Sequence, residues 1–137
     1  MRNETQMPKR VDTASETVDP AAVRRAMIVG TALQILLAIL AHFSLWIALH
    51  ALLFGAMMIS AVAGYLYAQD VARGYPAGVV GGLIAGGVCG LFGAAASVVL
   101  GDTDAGLFVQ NTLIFLFTGG IGGLFGQMSA SLRGLGQ

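Results

Sequence analysis

The side chains best suited to chemistry are scarce in this 137-residue sequence. It has two histidines, His42 and His50, and one cysteine, Cys89. Two histidines alone make a weak site for a metal or a haem, and histidines at the edge of an apolar segment are usually solvated. A lone thiol in a glycine-rich apolar stretch is typical of close packing rather than of redox chemistry. We therefore expect no metal, no cofactor and no catalytic residue, and nothing in the sequence indicates an enzyme.

Carboxylates and amides form a second group of candidates. Asp102 and Asp104 share a short polar turn, and aspartates in such turns cap helices more often than they bind cations. Gln34 lies in the middle of a long uncharged segment. Small four-helix multidrug exporters carry an ionisable glutamate in their first helix, where this chain has a glutamine that cannot exchange a proton. Because a proton-coupled carrier needs an ionisable group within the membrane, we do not expect proton coupling here.

A polar cluster lies near the start of the last apolar segment. It consists of Gln110, Asn111 and Thr112. Together with Gln34, these residues either line a narrow polar path or bond to neighbouring helices, and bonds of the second kind contribute about 0.6 kcal/mol each. Bonding between helices is the more common role, and a polar path is the alternative.

These residues must be positioned by an unusually apolar chain. Hydrophobic residues make up 56% of the sequence and charged residues 10%, with a mean hydropathy of +0.80. Soluble domains carry about 25% charged residues, so this chain cannot build the polar surface of a soluble fold. Since each crossing of a bilayer takes about 20 residues, the sequence predicts an all-α membrane protein, a compact bundle of four transmembrane helices. The helices are expected at about 20–43, 47–69, 76–100 and 105–130.

The start of the transmembrane domain is marked by composition and by a helix-start signal. Residues 1–18 are polar and mixed in charge, which predicts a flexible cytoplasmic tail. The remaining residues, 19–137, are expected to form the four-helix domain. Asp19 can cap the first backbone N–H groups, and Pro20 suits the first helical position.

The connections between the helices differ in how clearly they are marked. Gly74 can end the second helix, and Pro76 can begin the third. The turn between the first two helices, placed at about 43–46, has no Gly or Pro. It is inferred from length, because the uncharged run 26–68 would be about 65 Å long as one helix, whereas the bilayer core is about 30 Å thick.

The positive charges predict the orientation. All seven Lys and Arg residues lie in the first 25 residues, in the 70–75 connector or near the C-terminus, and four spans place these segments on one side. The positive-inside rule then places both termini in the cytoplasm, with the chain in the bacterial inner membrane. Three spans would leave Arg133 on the wrong side. Five of the seven basic residues lie in the first 25 residues, but their number is small, so we expect no nucleic-acid partner.

Small residues recur every four positions along the predicted helices, as in a glycine zipper. This spacing puts them on one face, where another backbone can approach closely. The residues predicted to pack helices together are Gly78, Gly82, Gly86, Gly90, Ala94, Thr118, Gly122, Gly126, Ala130, Ser60 and Gly64. Packing inside the bundle is the simpler interpretation. Self-association is the alternative, because Gly81, Gly87 and Gly93 lie outside the main stripe of the third helix.

Three short motifs carry a compositional resemblance to other membrane proteins. They are Gly64-Tyr65-Leu66-Tyr67, Arg73-Gly74-Tyr75-Pro76-Ala77-Gly78 and Gly122-Gly123-Leu124-Phe125-Gly126. Over roughly residues 55–127 the layout resembles that of small bacterial membrane protein families of unassigned function, with four spans and a glycine-rich third helix. The resemblance implies the architecture and no activity.

Two functions are compatible with these features. The first is a structural or accessory subunit that acts through helix packing within the lipid bilayer, as a homo-oligomer or as part of a larger membrane complex. The glycine stripes and the lack of charge within the predicted spans favour it. The second is a small oligomeric channel or carrier for a neutral or lipophilic solute, which the polar cluster of the last helix favours.

Overall fold

A computed structural model describes residues 18–135, which form helices and short connections with no strand among them. The elements in chain order are α1 (Pro20–Phe43), α2 (Leu45–His50), α3 (Leu52–Val71), α4 (Tyr75–Val99), a 3-10 turn (Ala105–Leu107) and α5 (Phe108–Leu135). Four helices, α1, α3, α4 and α5, are long and apolar enough to cross a membrane. The predicted all-α bundle of four transmembrane helices is therefore confirmed. The predicted flexible tail lies outside the described residues, apart from Val18.

The four long helices pack around the pair α3 and α4. Helix α5 contacts both members of this pair, and α1 contacts both of them as well. Since α1 and α5 do not pack extensively on each other, they flank the pair from opposite sides. Every long helix therefore keeps one face turned away from the bundle.

The outward faces of the bundle are covered by large apolar side chains. Ile28 of α1, Phe54 of α3 and Phe117 of α5 are 62%, 72% and 64% exposed. A water-soluble monomer rarely exposes apolar surface on this scale, whereas a lipid bilayer solvates it readily. The outward faces are therefore suited to contact with lipid.

Helix α1 begins with the predicted cap. The Asp19 carboxylate accepts hydrogen bonds from the backbone N–H groups of Ala21 (2.9 Å) and Ala22 (3.3 Å). The bonds from Ala22 and Ala21 hold the pKa of the Asp19 carboxyl below its usual value. The backbone N–H of Asp19 also donates to the hydroxyl of Tyr67 (3.3 Å), so the start of α1 is tied to the end of α3.

The reversal between α1 and α3 is longer than the turn predicted at 43–46. Ser44 adopts an extended conformation (φ −134°, ψ 103°), and the short helix α2 follows it. The Trp46 and His50 rings stack in α2 with their centroids 5.4 Å apart. The second long helix therefore begins at Leu52 rather than near 47. The expected position was early because single-residue breaks at Ser44 and Ala51 interrupt the helix without a Gly or Pro to mark them.

The connector between α3 and α4 also differs in detail from the prediction. Helix α3 ends at Val71, two residues beyond the predicted end at about 69, and Ala72 rather than Gly74 adopts the left-handed conformation that ends it (φ 46°). Gly74 instead precedes α4 with φ 106°, a conformation that glycine adopts without steric cost. At the other end of the chain, α5 extends to Leu135 and so passes the predicted end near 130.

Backbone contact among α3, α4 and α5 forms the centre of the bundle. A Cβ atom on Gly82 would lie 2.5 Å from the carbonyl oxygen of Gly119, and one on Gly86 would lie 2.5 Å from its Cα. Gly64 of α3 faces the same Gly119 carbonyl. Since no methyl group fits between these helices, they are held by dispersion and by weak Cα–H···O contacts.

The predicted stripe of α4 lies against α5. Each of its four glycines contacts α5: Gly78, Gly82, Gly86 and Gly90. Ala94 continues the stripe in a buried cluster with Ala56 and Phe115. This face of α4 is therefore occupied within a single chain.

The glycines outside that stripe also contact helices of the same chain. Gly81 lies under the ring of Tyr67, Gly87 lies against α5, and Gly93 lies against Gln34 of α1. These contacts account for the glycines that suggested self-association.

The glycines of the predicted stripe of α5, Gly122 and Gly126, lie against the backbone of α3. A Cβ on Gly122 would meet the carbonyl oxygen of Ala61, and one on Gly126 would lie 2.5 Å from that of Tyr65. Thr118 instead donates its hydroxyl to a carbonyl of its own helix (2.6 Å).

The other predicted packing residues have separate environments. Ser60 is fully buried and faces α1 and α4, while Gly64 faces α5. Ala130 is half-buried near the end of α5.

We expect Gly82→Ala to destabilise the protein by about 1–3 kcal/mol, because overpacking a tight contact forces neighbouring atoms apart. Here both nearby groups, Gly119 O and Gly123 Cα (2.9 Å), belong to a backbone that cannot rotate away. Gly134→Ala is the matched control, since a Cβ there has no neighbour within 4 Å. Unfolding in detergent, followed by circular dichroism, measures both. Equal stabilities of the two variants would contradict the close contact between α4 and α5.

Candidate functional site

A cavity of about 310 Å³ opens at the end of the bundle where α1 and α4 finish and α3 and α5 begin. Its polar lining residues are Gln34, Ser97, Asp102, Thr103, Asp104 and Asn111. Leu52, Leu107 and Phe115 contribute apolar walls, and no basic side chain is among the described residues that line it. Pockets for small molecules range from about 300 to 1,000 Å³, so the cavity has room for a small solute.

The cavity reaches deep into the apolar bundle. Its deepest polar residue, Gln34, precedes the end of α1 at Phe43 by nine residues, which corresponds to about 13 Å along the helix. Gln34 is only 2% exposed. A buried amide is costly in an apolar environment unless it is hydrogen-bonded, so the bonds of Gln34 are central to the site.

The Gln34 amide nitrogen is bonded to α3. Nε2 donates to the backbone carbonyl of Ala56 (2.8 Å) and to the hydroxyl oxygen of Ser60 (3.2 Å). These bonds tie α1 to α3 and hold the carboxamide in one place at the cavity floor.

Gly93 of α4 makes room for this carboxamide. A Cβ on Gly93 would lie 2.9 Å from both Cβ and Oε1 of Gln34. A side chain at position 93 would therefore displace Gln34, and the absence of one leaves Oε1 beside the cavity that both residues line.

A closely packed layer closes the cavity below Gln34. Ser60 Oγ lies 3.8 Å from Cys89 Sγ, and Cys89 Sγ donates to the carbonyl of Gly86 (3.3 Å). Ser60 and Cys89 are both fully buried. At the same level a Cβ on Gly30 would lie 3.0 Å from the Cβ of Ala63. The cavity is thus open at one end and closed at the other.

The cavity rim carries charged and titratable groups. Asp102 lies 3.2 Å from His42 Nδ1, an ion pair when the histidine is protonated. The Asp104 carboxylate accepts from the backbone N–H of Gly106 (2.6 Å), which is the predicted capping role. His50 bonds within α2, so the two histidines do not share a site. Within residues 18–135, no group of three or more metal-ligating side chains comes together.

The structure brings together two of the four residues predicted for a polar path. Gln34 and Asn111 line the same cavity. Gln110 is exposed outside the cavity lining, and the Thr112 hydroxyl donates to the carbonyl of Phe108 in its own helix (2.8 Å). Gln34 bonds across helices and also lines the cavity.

Sequence reasoning missed the contribution of α4 to the cavity. Gly93 and Ser97 line it, and their spacing of four residues places them on one helical face. This spacing was a usable signal, but it was hidden by the many other small residues of α4.

A closed bundle of four apolar helices with a polar cavity at one end defines the chain as a small multi-pass membrane protein. More particularly, the chain belongs to the EIIC-GAT family, described as the PTS system sugar-specific permease component, which it matches over residues 9–135. No curated protein and no solved structure matches the chain.

The family membership sharpens the expectations from sequence. The resemblance to four-span glycine-rich families of unassigned function is not confirmed beyond the membrane class, since the family that matches is one of permease components. Permease components are transporters rather than enzymes. Permease components of this family work in membrane complexes, which agrees with the expectation of a homo-oligomer or a larger membrane complex.

We expect Cys89 to be protected from thiol reagents, because it is fully buried below the cavity floor. Its alkylation by N-ethylmaleimide in the folded protein should be slower, by roughly tenfold or more, than that of an exposed thiol. The comparison is an Asn111→Cys, Cys89→Ala variant, whose only thiol lines the cavity. Mass spectrometry follows both reactions. Equal rates would show that the cavity continues past Gln34.

Proposed function

We propose that this chain is the membrane-embedded component of a sugar permease and that its polar cavity is the sugar-binding site. The supporting observation is the buried amide of Gln34 at the floor of an open cavity, in a chain of a permease family. A bundle that served only to pack against other subunits would be expected to fill this space with side chains, because protein interiors are closely packed.

The chemistry of the lining suits a neutral, hydroxylated solute. The carboxylates of Asp102 and Asp104 and the amides of Gln34 and Asn111 can bond to hydroxyl groups. Phe115 offers an apolar wall for the C–H surface of a sugar ring. Among the described lining residues, the two carboxylates belong to the connector between α4 and α5 rather than to a long helix.

The charges at the two ends of the bundle support an orientation. Arg24 and Arg25 lie in the first turns of α1, Arg73 lies in the connector before α4, and Arg133 lies near the end of α5. All four therefore occupy the end opposite the cavity. The positive-inside rule places that end in the cytoplasm, so we propose that the cavity opens to the outer side of the bacterial inner membrane.

Passage of a solute would require the closed layer below Gln34 to open. Helices α3, α4 and α5 touch through their backbones at Gly64, Gly82 and Gly119, so they leave little room for movement between them. Among the long helices, α1 packs mainly on α3 and α4 and not extensively on α5. We propose that α1 is the helix that moves, in a complex with a second copy or another permease subunit. The accessory role favoured by the sequence would then describe one subunit of a transporter.

We expect the purified protein in nanodiscs to bind at least one member of a panel of aldohexoses and ketohexoses, and Gln34→Leu to weaken that binding about tenfold. Losing one hydrogen bond to a buried group costs on the order of 1 kcal/mol or slightly more. Isothermal titration calorimetry measures the affinities. Gln110→Leu is the matched control, because it removes an amide outside the cavity.

Two results would contradict the proposed binding site. One is the absence of binding by every sugar in the panel. The other is an equal affinity in the Gln34→Leu and Gln110→Leu variants, provided that both unfold at the temperature of the parent protein.

The orientation has its own expected outcome. In a Cys89→Ala background, a membrane-impermeant maleimide added to intact cells should label Asn111→Cys at the cavity. It should not label Asp70→Cys, which is exposed near the opposite end of the bundle. Gel-shift detection of the labelled chain distinguishes the two. The reverse pattern would place the cavity opening in the cytoplasm.

A further inference from the structure

We infer that Gln34 presents a fixed hydrogen-bond acceptor, Oε1, at the cavity floor, so that the bound solute must donate a hydroxyl or N–H hydrogen there. We also infer that Ser60 is the positioning residue that keeps the amide in this orientation. In taking the cavity as the solute site, we rely on the function proposed above.

The orientation of the Gln34 amide follows from the chemistry of its partners. A carboxamide has two N–H donors on its nitrogen and an acceptor oxygen. The atom of Gln34 that lies 2.8 Å from the Ala56 carbonyl must be the nitrogen, because a carbonyl oxygen can only accept. The second hydrogen of Nε2 is directed to Ser60 Oγ, 3.2 Å away. Both donors of Gln34 are therefore used within the bundle.

The contacts of Ser60 reinforce this direction. Because Ser60 Oγ accepts from Gln34, its own hydrogen is available for Cys89 Sγ at 3.8 Å. The Cys89 thiol in turn donates to the carbonyl of Gly86 at 3.3 Å. This chain of hydrogen bonds, from Gln34 through Ser60 and Cys89, ends on the Gly86 carbonyl, which can only accept. Each side chain in it therefore donates away from the cavity. Turning the Gln34 amide over would set its oxygen against Ala56 O and would break this order.

The oxygen of Gln34 is the part of the amide left for a solute. It lies 2.9 Å from the position that a Cβ of Gly93 would occupy, and both residues line the cavity. The rim adds two more acceptors, the carboxylates of Asp102 and Asp104, and none of the described lining residues is basic. Ser97, Thr103 and Asn111 of the lining can donate as well as accept, but two carboxylates without a basic partner among the described lining residues disfavour anions.

The orientation of the amide can be tested without any sugar. In protein labelled with ¹⁵N-glutamine, the two Nε2 hydrogens of Gln34 should exchange with solvent roughly tenfold more slowly than those of exposed Gln110. The reason is that both hydrogens of Gln34 are buried and hydrogen-bonded. The Gln34 signal is identified by its loss in Gln34→Leu. Ser60→Ala should accelerate the exchange. Equal rates for Gln34 and Gln110 in the parent protein would overturn the inference.

The role of Oε1 is tested with fluorinated sugars. Fluorine resembles a hydroxyl in size but cannot donate a hydrogen. For the sugar that binds best in the hexose panel, each mono-deoxyfluoro derivative is titrated against the parent protein, Gln34→Leu and Ser60→Ala. At one position fluorination should weaken binding to the parent protein roughly tenfold. That fluorine penalty should vanish in Gln34→Leu. It should be smaller in Ser60→Ala than in the parent protein, and an unchanged unfolding temperature of Ser60→Ala would show that lost stability is not the cause.

The outcomes separate this inference from the proposed function. A fluorine penalty of equal size in the parent protein and in Gln34→Leu at every position would overturn the acceptor role, while sugar binding itself would stand. Failure of every sugar to bind would overturn the proposed function, and the amide-exchange rates would still decide the orientation of Gln34.

Discussion

The bundle depends on the contact between backbones where Gly82, Gly86 and Gly119 leave no side chains between α4 and α5. In a bilayer the hydrophobic effect does not draw helices together, since lipid tails are as apolar as the side chains. Close backbone approach provides the missing attraction through dispersion and weak Cα–H···O contacts. Gly64 brings α3 to the same point, so three helices meet with almost no side-chain volume at their centre, and α1 is added from outside.

The cavity is a consequence of where this close contact stops. Along α4 the glycines face the backbone of α5 up to Gly86, but a Cβ on Gly90 would meet the side chain of Phe115 instead. The larger side chains of Phe115 and Leu107 form part of the cavity wall there. The same chain is therefore closed at its middle and open at one end. Under the proposed function both properties are needed, because an open path through the bundle would leak.

Gln34 shows how a polar group is accommodated in such an interior. Buried without partners, its amide would be strongly unfavourable. Its nitrogen instead donates to Ala56 and Ser60 of α3, and the space left by Gly93 of α4 admits its oxygen. Three helices thus determine the position of one side chain. Under the proposed function, this arrangement holds a solute-binding group in place before the solute arrives.

The number of membrane-spanning helices followed from the sequence alone, because apolar length and charge placement act over whole segments and tolerate local error. The signals at Asp19 and Pro20 were also sufficient, since capping is a local interaction. Where a local signal was absent, as at Ser44 and Ala51, the boundary could not be predicted. The glycine stripes were visible as spacing, but every helix carried one, so spacing could not say which stripes meet. That choice, the cavity and the direction of the Gln34 amide were decided by the tertiary structure, because each depends on atoms from three helices that are far apart in the chain.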